Sequence, residues 1–202
     1  MVNSVQGVTK RAIRALLVKD QDLLALQANE RSISHKLAEY LRKEIGEEYD
    51  VDCEYNRLGE QENNTKALAY LRDWTESFDD VGDDPREDLQ ARTVYPDVIV
   101  HQRTKKHENL LVIEIKTSAG SADYSKDKHK LVAFTNPEEI LPGYHVYHYE
   151  LGLFLELPTG GGLQRTDPFV AKGIWYEDGE ELSDGLEELC KVESSLGAKP
   201  IK

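Results

Sequence analysis

Two apolar stretches are interrupted by charge where a buried strand has no use for it: Val94-Tyr-Pro-Asp-Val-Ile-Val-His101 and Leu110-Leu-Val-Ile-Glu-Ile-Lys116. The first carries Asp97, the second Glu114 and Lys116. If the two runs pair in one sheet, two carboxylates and an ammonium group converge at its edge. Hydrolysis of a phosphodiester needs an activated water, a Lewis acid on a phosphorus oxygen and relief of charge on the leaving oxygen. Mg²⁺ meets these needs when one or two carboxylates hold it and leave its shell open to water and phosphate. Asp97 and Glu114 suit that task, with the Ile115 carbonyl as a third oxygen ligand and Mn²⁺ as a substitute metal. Lys116 would then orient the attacking water or stabilise the developing charge. Two carboxylates held close repel and raise each other's pKa, a cost that a metal or the nearby ammonium removes.

These groups need elements to position them. Side chains two apart on a strand share a face. Glu114 and Lys116 therefore point with Val112, while Leu111, Ile113 and Ile115 pack the opposite face, and Asp97 points with Ile99 and His101. The link from Arg103 to Glu108 is short and polar, which suits an antiparallel hairpin of strands over 94–102 and 109–117. Ahead of it, Ile33, Leu37, Tyr40, Leu41 and Ile45 predict a helix over 30–46. Glu30 falls on the same stripe, which admits two readings: an acid facing the metal, or a charge that compensates the helix dipole.

Helical spacing also covers 9–27, with a break near Lys19-Asp20, and residues 49–56 alternate as a strand. Residues 123–135 predict a helix with two readings: His129 and Lys130 face a substrate, or Lys126, Lys128 and Lys130 form an ordinary solvated face. A stretch over 144–157 reads as one or two strands interrupted near Gly152, followed by a turn at Thr159-Gly-Gly-Gly162 and a last strand over 169–176. Residues 58–93 are polar and acidic, too poor in apolar side chains for a core, and read as an insertion with one short helix over 65–74. An acidic C-terminal segment, 177–202, includes a weak helix over 180–192. The order predicts a single α/β domain over 1–202, a mixed β-sheet flanked by helices.

Composition constrains function less than it first suggests. The net charge of −13 over 202 residues looks hostile to nucleic acid. Yet residues 76–88 contribute −6 and residues 177–188 contribute −7, so the remaining chain is electrically balanced. Such runs read either as solvated surface or as a docking patch for a basic partner. No apolar stretch approaches the ~20 residues that span a bilayer, and the polar start gives no sign of export. Cys53 and Cys190 form no CxxC pair, which speaks against structural zinc and a disulfide framework. The expectation is a cytoplasmic protein with no membrane partner.

Tyr95-Pro96-Asp97, followed by Glu114-Ile115-Lys116 at the end of the next apolar strand, resembles the PD-(D/E)xK nuclease superfamily. The flanking helices, one bearing Glu30 and one bearing Asp127-Lys-His-Lys-Leu131, sit where that family's core places helices. The resemblance implies a restriction-endonuclease-like fold with an α-β-β-β-α-β core and Mg²⁺-dependent cleavage of DNA, less often RNA. It carries over Asp97 and Glu114 as metal ligands, Lys116 as the catalytic lysine and Glu30 as a helix-borne acid. The acidic insertion at 58–93 departs from the pattern. A homodimer would be a natural way to cut both strands of a duplex. Two other readings stay open: an RNA-directed nuclease with the same site, and a non-catalytic module of this fold that binds a protein through its acidic surfaces.

Overall fold

In the computed structural model, the described residues are 2–55, 67–71, 89–93, 95–103, 105, 109–118, 124–137 and 147–196. The chain opens with α1 (Val2–Lys19) and α2 (Gln21–Ala25), divided at the expected break, and α3 (Glu30–Glu44). The Asn29 side chain starts α3 by accepting the Ser32 N–H at 2.8 Å. After β1 (Asp50–Cys53) come β2 (Ala67–Leu71) and β3 (Leu89–Thr93), then β4 (Val98–His101) and β5 (Asn109–Thr117). The helix α4 (Ser125–Thr135) precedes β6 (Tyr149–Leu157), β7 (Phe169–Glu177), β8 (Glu180–Glu181) and β9 (Glu187–Val192).

One sheet of seven strands carries the site, in the order β1-β4-β5-β6-β7-β8, with β9 also paired to β7. It is antiparallel except for β5 and β6, which run parallel because α4 crosses over between them. Helices cover both faces. Leu111, Ile113 and Ile115 pack with Ile13, Leu17, Ile33 and Leu37 beneath α1 and α3. Val112, Ile99 and Phe154 pack on the other face with Leu131 and Phe134 of α4. The period-two reading of β4 and β5 thus holds, as do the hairpin and the mixed sheet between helices. Among the described residues no helix is long and apolar enough to cross a membrane.

Three local expectations give way. The helix expected over 65–74 is replaced by a separate two-stranded sheet in which Ala67↔Thr93 and Leu71↔Leu89 pair. A partner strand overrides the helical preference of Ala and Leu there. The acidic run 76–88 lies outside the described residues. The helix expected over 180–192 is instead β8 and β9, both hydrogen-bonded to β7. A helix over 180–192 would have stacked Glu180 on Asp184 and Asp184 on Glu188, like charges at four-residue spacing, while Gly179 just ahead of it adopts φ +81. It follows that β7 is not the last strand. The interruption expected at Gly152 does not occur. A Cβ there would lie 3.1 Å from both Thr135 Cγ2 and Tyr176 Cβ, so the glycine lets α4 approach an unbroken β6.

At the far end of the β1–β4 pair, Asp52 Oδ2 lies 2.9 Å from both His101 Nε2 and Arg103 Nε. Burial pushes the Asp52 pKa up, but the His101 and Arg103 hydrogen bonds and charges outweigh it and hold the carboxyl well below its ordinary range. A carboxyl depressed in this way adds stability above its unfolded pKa near 4 and loses it as pH falls toward the folded value. Asp52→Asn is therefore expected to cost about 1–3 kcal/mol at pH 7. That deficit should narrow steadily below pH ~4. Urea unfolding at a series of pH values measures both, and a deficit independent of pH would exclude this network as its source.

Candidate functional site

Asp97 sits one residue ahead of β4, beyond the last rung of its ladder, Val98↔Ile113. Its Oδ2 accepts the Ile115 N–H at 2.7 Å, so the carboxylate takes the place of the next strand residue. That rung sets Asp97 beside Glu114. The N–H and C=O of one strand residue point to the same side of the strand, so the Ile115 carbonyl also faces the Asp97 side.

Glu114 lies deeper, with its side chain 2 % exposed. Its Oε2 accepts from Lys130 Nζ at 3.1 Å, and its Oε1 is buried without a hydrogen-bond partner. Lys116 follows two residues on, where the sheet meets the first turns of α3 and α4. Its Nζ stands 3.0 Å from Asp127 Oδ2 and 3.7 Å from Glu30 Oε2. Glu30, the first residue of α3, thus enters the cluster through the lysine.

The crossover from β5 delivers α4 with its first turns against Glu114 and Lys116. Asp127 is buried, and its Oδ1 accepts from Lys130 Nζ at 2.7 Å. Lys130 therefore bridges Asp127 and Glu114, which corrects the solvated-face alternative of its two sequence readings. Asp127 was missed although a signal existed. It precedes Leu131 by four residues and Phe134 by seven, both fully buried, the argument that placed Glu30 on the stripe of α3. Three other polar side chains near these strands have partners of their own: His101 and Asp52 pair with each other, and Glu54 pairs with Arg31 at 2.8 Å.

The electrostatics follow from burial. Burial pushes Asp97 up to about 6, with Glu30 adding to the rise and the Ile115 hydrogen bond, Lys116 and Lys130 opposing it. Burial and then the Asp97 charge raise Glu114 well above the ordinary carboxylate range, against the pull of Lys130. Burial alone would depress the two lysines, but their acid partners win and raise both: Asp127 above all for Lys116, Glu114 and Asp127 for Lys130. Asp127 is held below its ordinary range, because Lys130 and Lys116 outweigh its own burial.

Four carboxylates, Glu30, Asp97, Glu114 and Asp127, thus face two ammonium groups, Lys116 and Lys130. With all four ionised the excess is two negative charges, the amount one divalent cation neutralises. Among the described residues no three or more His, Cys, Asp or Glu side chains form a ready metal cage. A hard cation held through Asp97, Glu114 Oε1 and the Ile115 carbonyl would keep several waters, the coordination Mg²⁺ favours. The donor set fits such an ion. No protein-family model, curated protein or solved structure matches the chain, so the reading of this site rests on its own chemistry.

A buried carboxylate with one bare oxygen costs stability in the absence of a cation. In the presence of chelator, Glu114→Gln is expected to stabilise the protein by roughly 0.5–2 kcal/mol. Saturating Mg²⁺ should then stabilise the wild type more than the variant. Thermal unfolding with and without Mg²⁺ reads both effects, and a variant less stable than the wild type in chelator would contradict this account of Glu114.

Proposed function

We propose that the protein is a metal-dependent nuclease that hydrolyses phosphodiester bonds of DNA, with the restriction-endonuclease-like core and the site of the PD-(D/E)xK superfamily. The observation that carries this reading is the bare, buried Oε1 of Glu114, set beside Asp97 in a cluster with more carboxylates than ammonium groups. The preference for DNA over RNA rests on the resemblance of Tyr95-Pro96-Asp97 and Glu114-Ile115-Lys116 to that superfamily.

In this reading Asp97, Glu114 and the Ile115 carbonyl hold Mg²⁺. When bound, Mg²⁺ lowers the pKa of a water and draws charge from a phosphorus oxygen. Lys116 acts as a cation. Its acid neighbours keep the ammonium form, so it has no lone pair with which to take a proton from water. It instead donates hydrogen bonds to the incoming water and to the phosphoryl oxygens, whose negative charge grows toward the transition state. Stabilisation that increases along the reaction accelerates turnover rather than binding. Asp97 remains aimed by the Ile115 N–H throughout, because that bond uses only Oδ2.

A second reading draws on a different observation. Glu180, Glu181, Asp184, Glu187 and Glu188 are all exposed along β8, β9 and the turn between them. That surface suits a basic protein partner, and a module serving only that purpose has no need of a cation at Asp97 and Glu114. Calorimetric titration with Mg²⁺ separates the two readings.

Plasmid, linear duplex, single-stranded DNA and RNA, each incubated with the protein in Mg²⁺ and in chelator, test the main proposal directly. Cleavage of DNA in Mg²⁺ alone is the expected result. Asp97→Asn and Glu114→Gln should each lower the rate at least about 100-fold, and Lys116→Ala should lower kcat more than it weakens metal binding. Undiminished cutting by all three variants, or cutting that survives chelator, would refute the mechanism.

A further inference from the structure

Two of the groups assigned a chemical duty above, Glu114 and Lys116, are gripped from α4. Asp127 gives one oxygen to each lysine, Oδ1 to Lys130 at 2.7 Å and Oδ2 to Lys116 at 3.0 Å. Lys130 divides in turn between Asp127 and Glu114 Oε2, the latter at 3.1 Å. These contacts are selective. Asp127 is buried with both oxygens already engaged by ammonium groups, which leaves it poorly suited to a further cation. Glu114 has one oxygen tied and the other bare, so it offers a single oxygen in a single orientation.

The residue types also matter. A lysine ammonium rides on a flexible four-carbon stem, and its position is set by what it touches. Lys116 is only 17 % exposed, and its shortest charged contact is Asp127. Lys130 is 22 % exposed and sits three residues from Asp127 on the same helical face. One turn of one helix thereby fixes a carboxylate on β5 and the lysine two residues beyond it.

Building on the nuclease reading above, we propose that Asp127 and Lys130 form a positioning clamp, in which Lys130 aims Glu114 at the metal and Asp127 aims Lys116 at the phosphate. Both are positioning residues, since each acts through another side chain. The two halves act on different quantities. Loss of Lys130 frees the Glu114 carboxylate to rotate and weakens metal binding. Loss of the Asp127 charge frees Lys116 and slows the chemical step, with metal affinity retained. A purely structural ion-pair network would instead lower stability and leave no such division.

The test pairs Mn²⁺ titration calorimetry with steady-state cleavage of plasmid DNA, using the full chain. Lys130→Met is expected to weaken Mn²⁺ binding about 10–100-fold, the usual effect of removing a group that orients a metal ligand. Lys130→Gln serves as the second variant should Met disturb the fold. Asp127→Asn, which keeps the shape of the side chain, should lower kcat about 10–100-fold. Its KM and Mn²⁺ affinity should stay within about threefold of wild type. Asp127→Glu should recover part of the rate. Wild-type behaviour of the Lys130 and Asp127 variants overturns the clamp while leaving the nuclease reading intact, as does a parallel fall in binding and rate for both. A wild-type protein that neither binds Mn²⁺ nor cuts DNA fails the underlying reading, and the clamp with it.

Discussion

The site depends on where β4 stops. Strand pairing ends at Val98↔Ile113, and the next residue that β5 presents toward this edge, Ile115, finds a carboxylate instead of a strand. A buried N–H without a partner is costly, so the Asp97 side chain is held there by the same requirement that holds the rest of the ladder. Pro96 lies just ahead of Asp97 and has no N–H of its own to pair, while its carbonyl accepts the Glu54 N–H at 3.1 Å. One hydrogen bond therefore satisfies the end of the sheet and places a charged oxygen beside Glu114. The ionic contacts of the cluster reach this pair through Lys130, which holds Glu114.

That arrangement sets stability against function. Asp97 and Glu114 are each pushed upward in pKa by burial, which means the fold disfavours the charged form needed to hold a cation. Two well-packed apolar residues would serve the fold better. The protein compensates with lysines, but only in part, since two ammonium groups meet four carboxylates. Perturbed groups clustered in one place, with a specific charge imbalance, are what the proposed cation site requires. The Asp52–His101–Arg103 network offers a contrast within the same molecule. There the carboxyl is depressed, each Asp52 oxygen meets a cationic or imidazole group, and the contacts account for themselves as structure.

Much of this was legible in the sequence, and for identifiable reasons. The period of two assigned the faces of β4 and β5 correctly, because apolar and ionic residues alternate along Leu111–Lys116 with only Val112 common to the charged face. The stripe of α3 carried Glu30 to the cluster by the same logic. Lys130 was left between two readings because Lys126, Lys128 and Lys130 form a pattern with period two, which says nothing about a helix, while Asp127 was hidden among lysines. The strands β2, β3, β8 and β9 escaped for a different reason. Their conformation is fixed by partners distant in the chain, and local preference is silent about those partners. Gly152 shows the same limit, since its role is the close approach of a helix and not a break in its own strand.

The apolar pattern that builds the core also fixes the chemistry in register. A slip of one residue between β4 and β5 would turn Glu114 and Lys116 into the layer beneath α1 and α3 and bring Ile113 and Ile115 under α4. Burying an ammonium and a carboxylate among Leu17, Ile33 and Leu37 is prohibitive without partners, so the alternative pairing is excluded by the core rather than by the site. The irregularity the hairpin does contain, a register shift between Val100 and His101, lies at the end remote from Asp97. The extra residue there is Leu110 of β5, near the Asp52 network, and the rungs leading to Asp97 stay in phase. The irregularity is thus confined to one end of the hairpin and the ionic end keeps its register, which a constellation of three side chains on two strands requires.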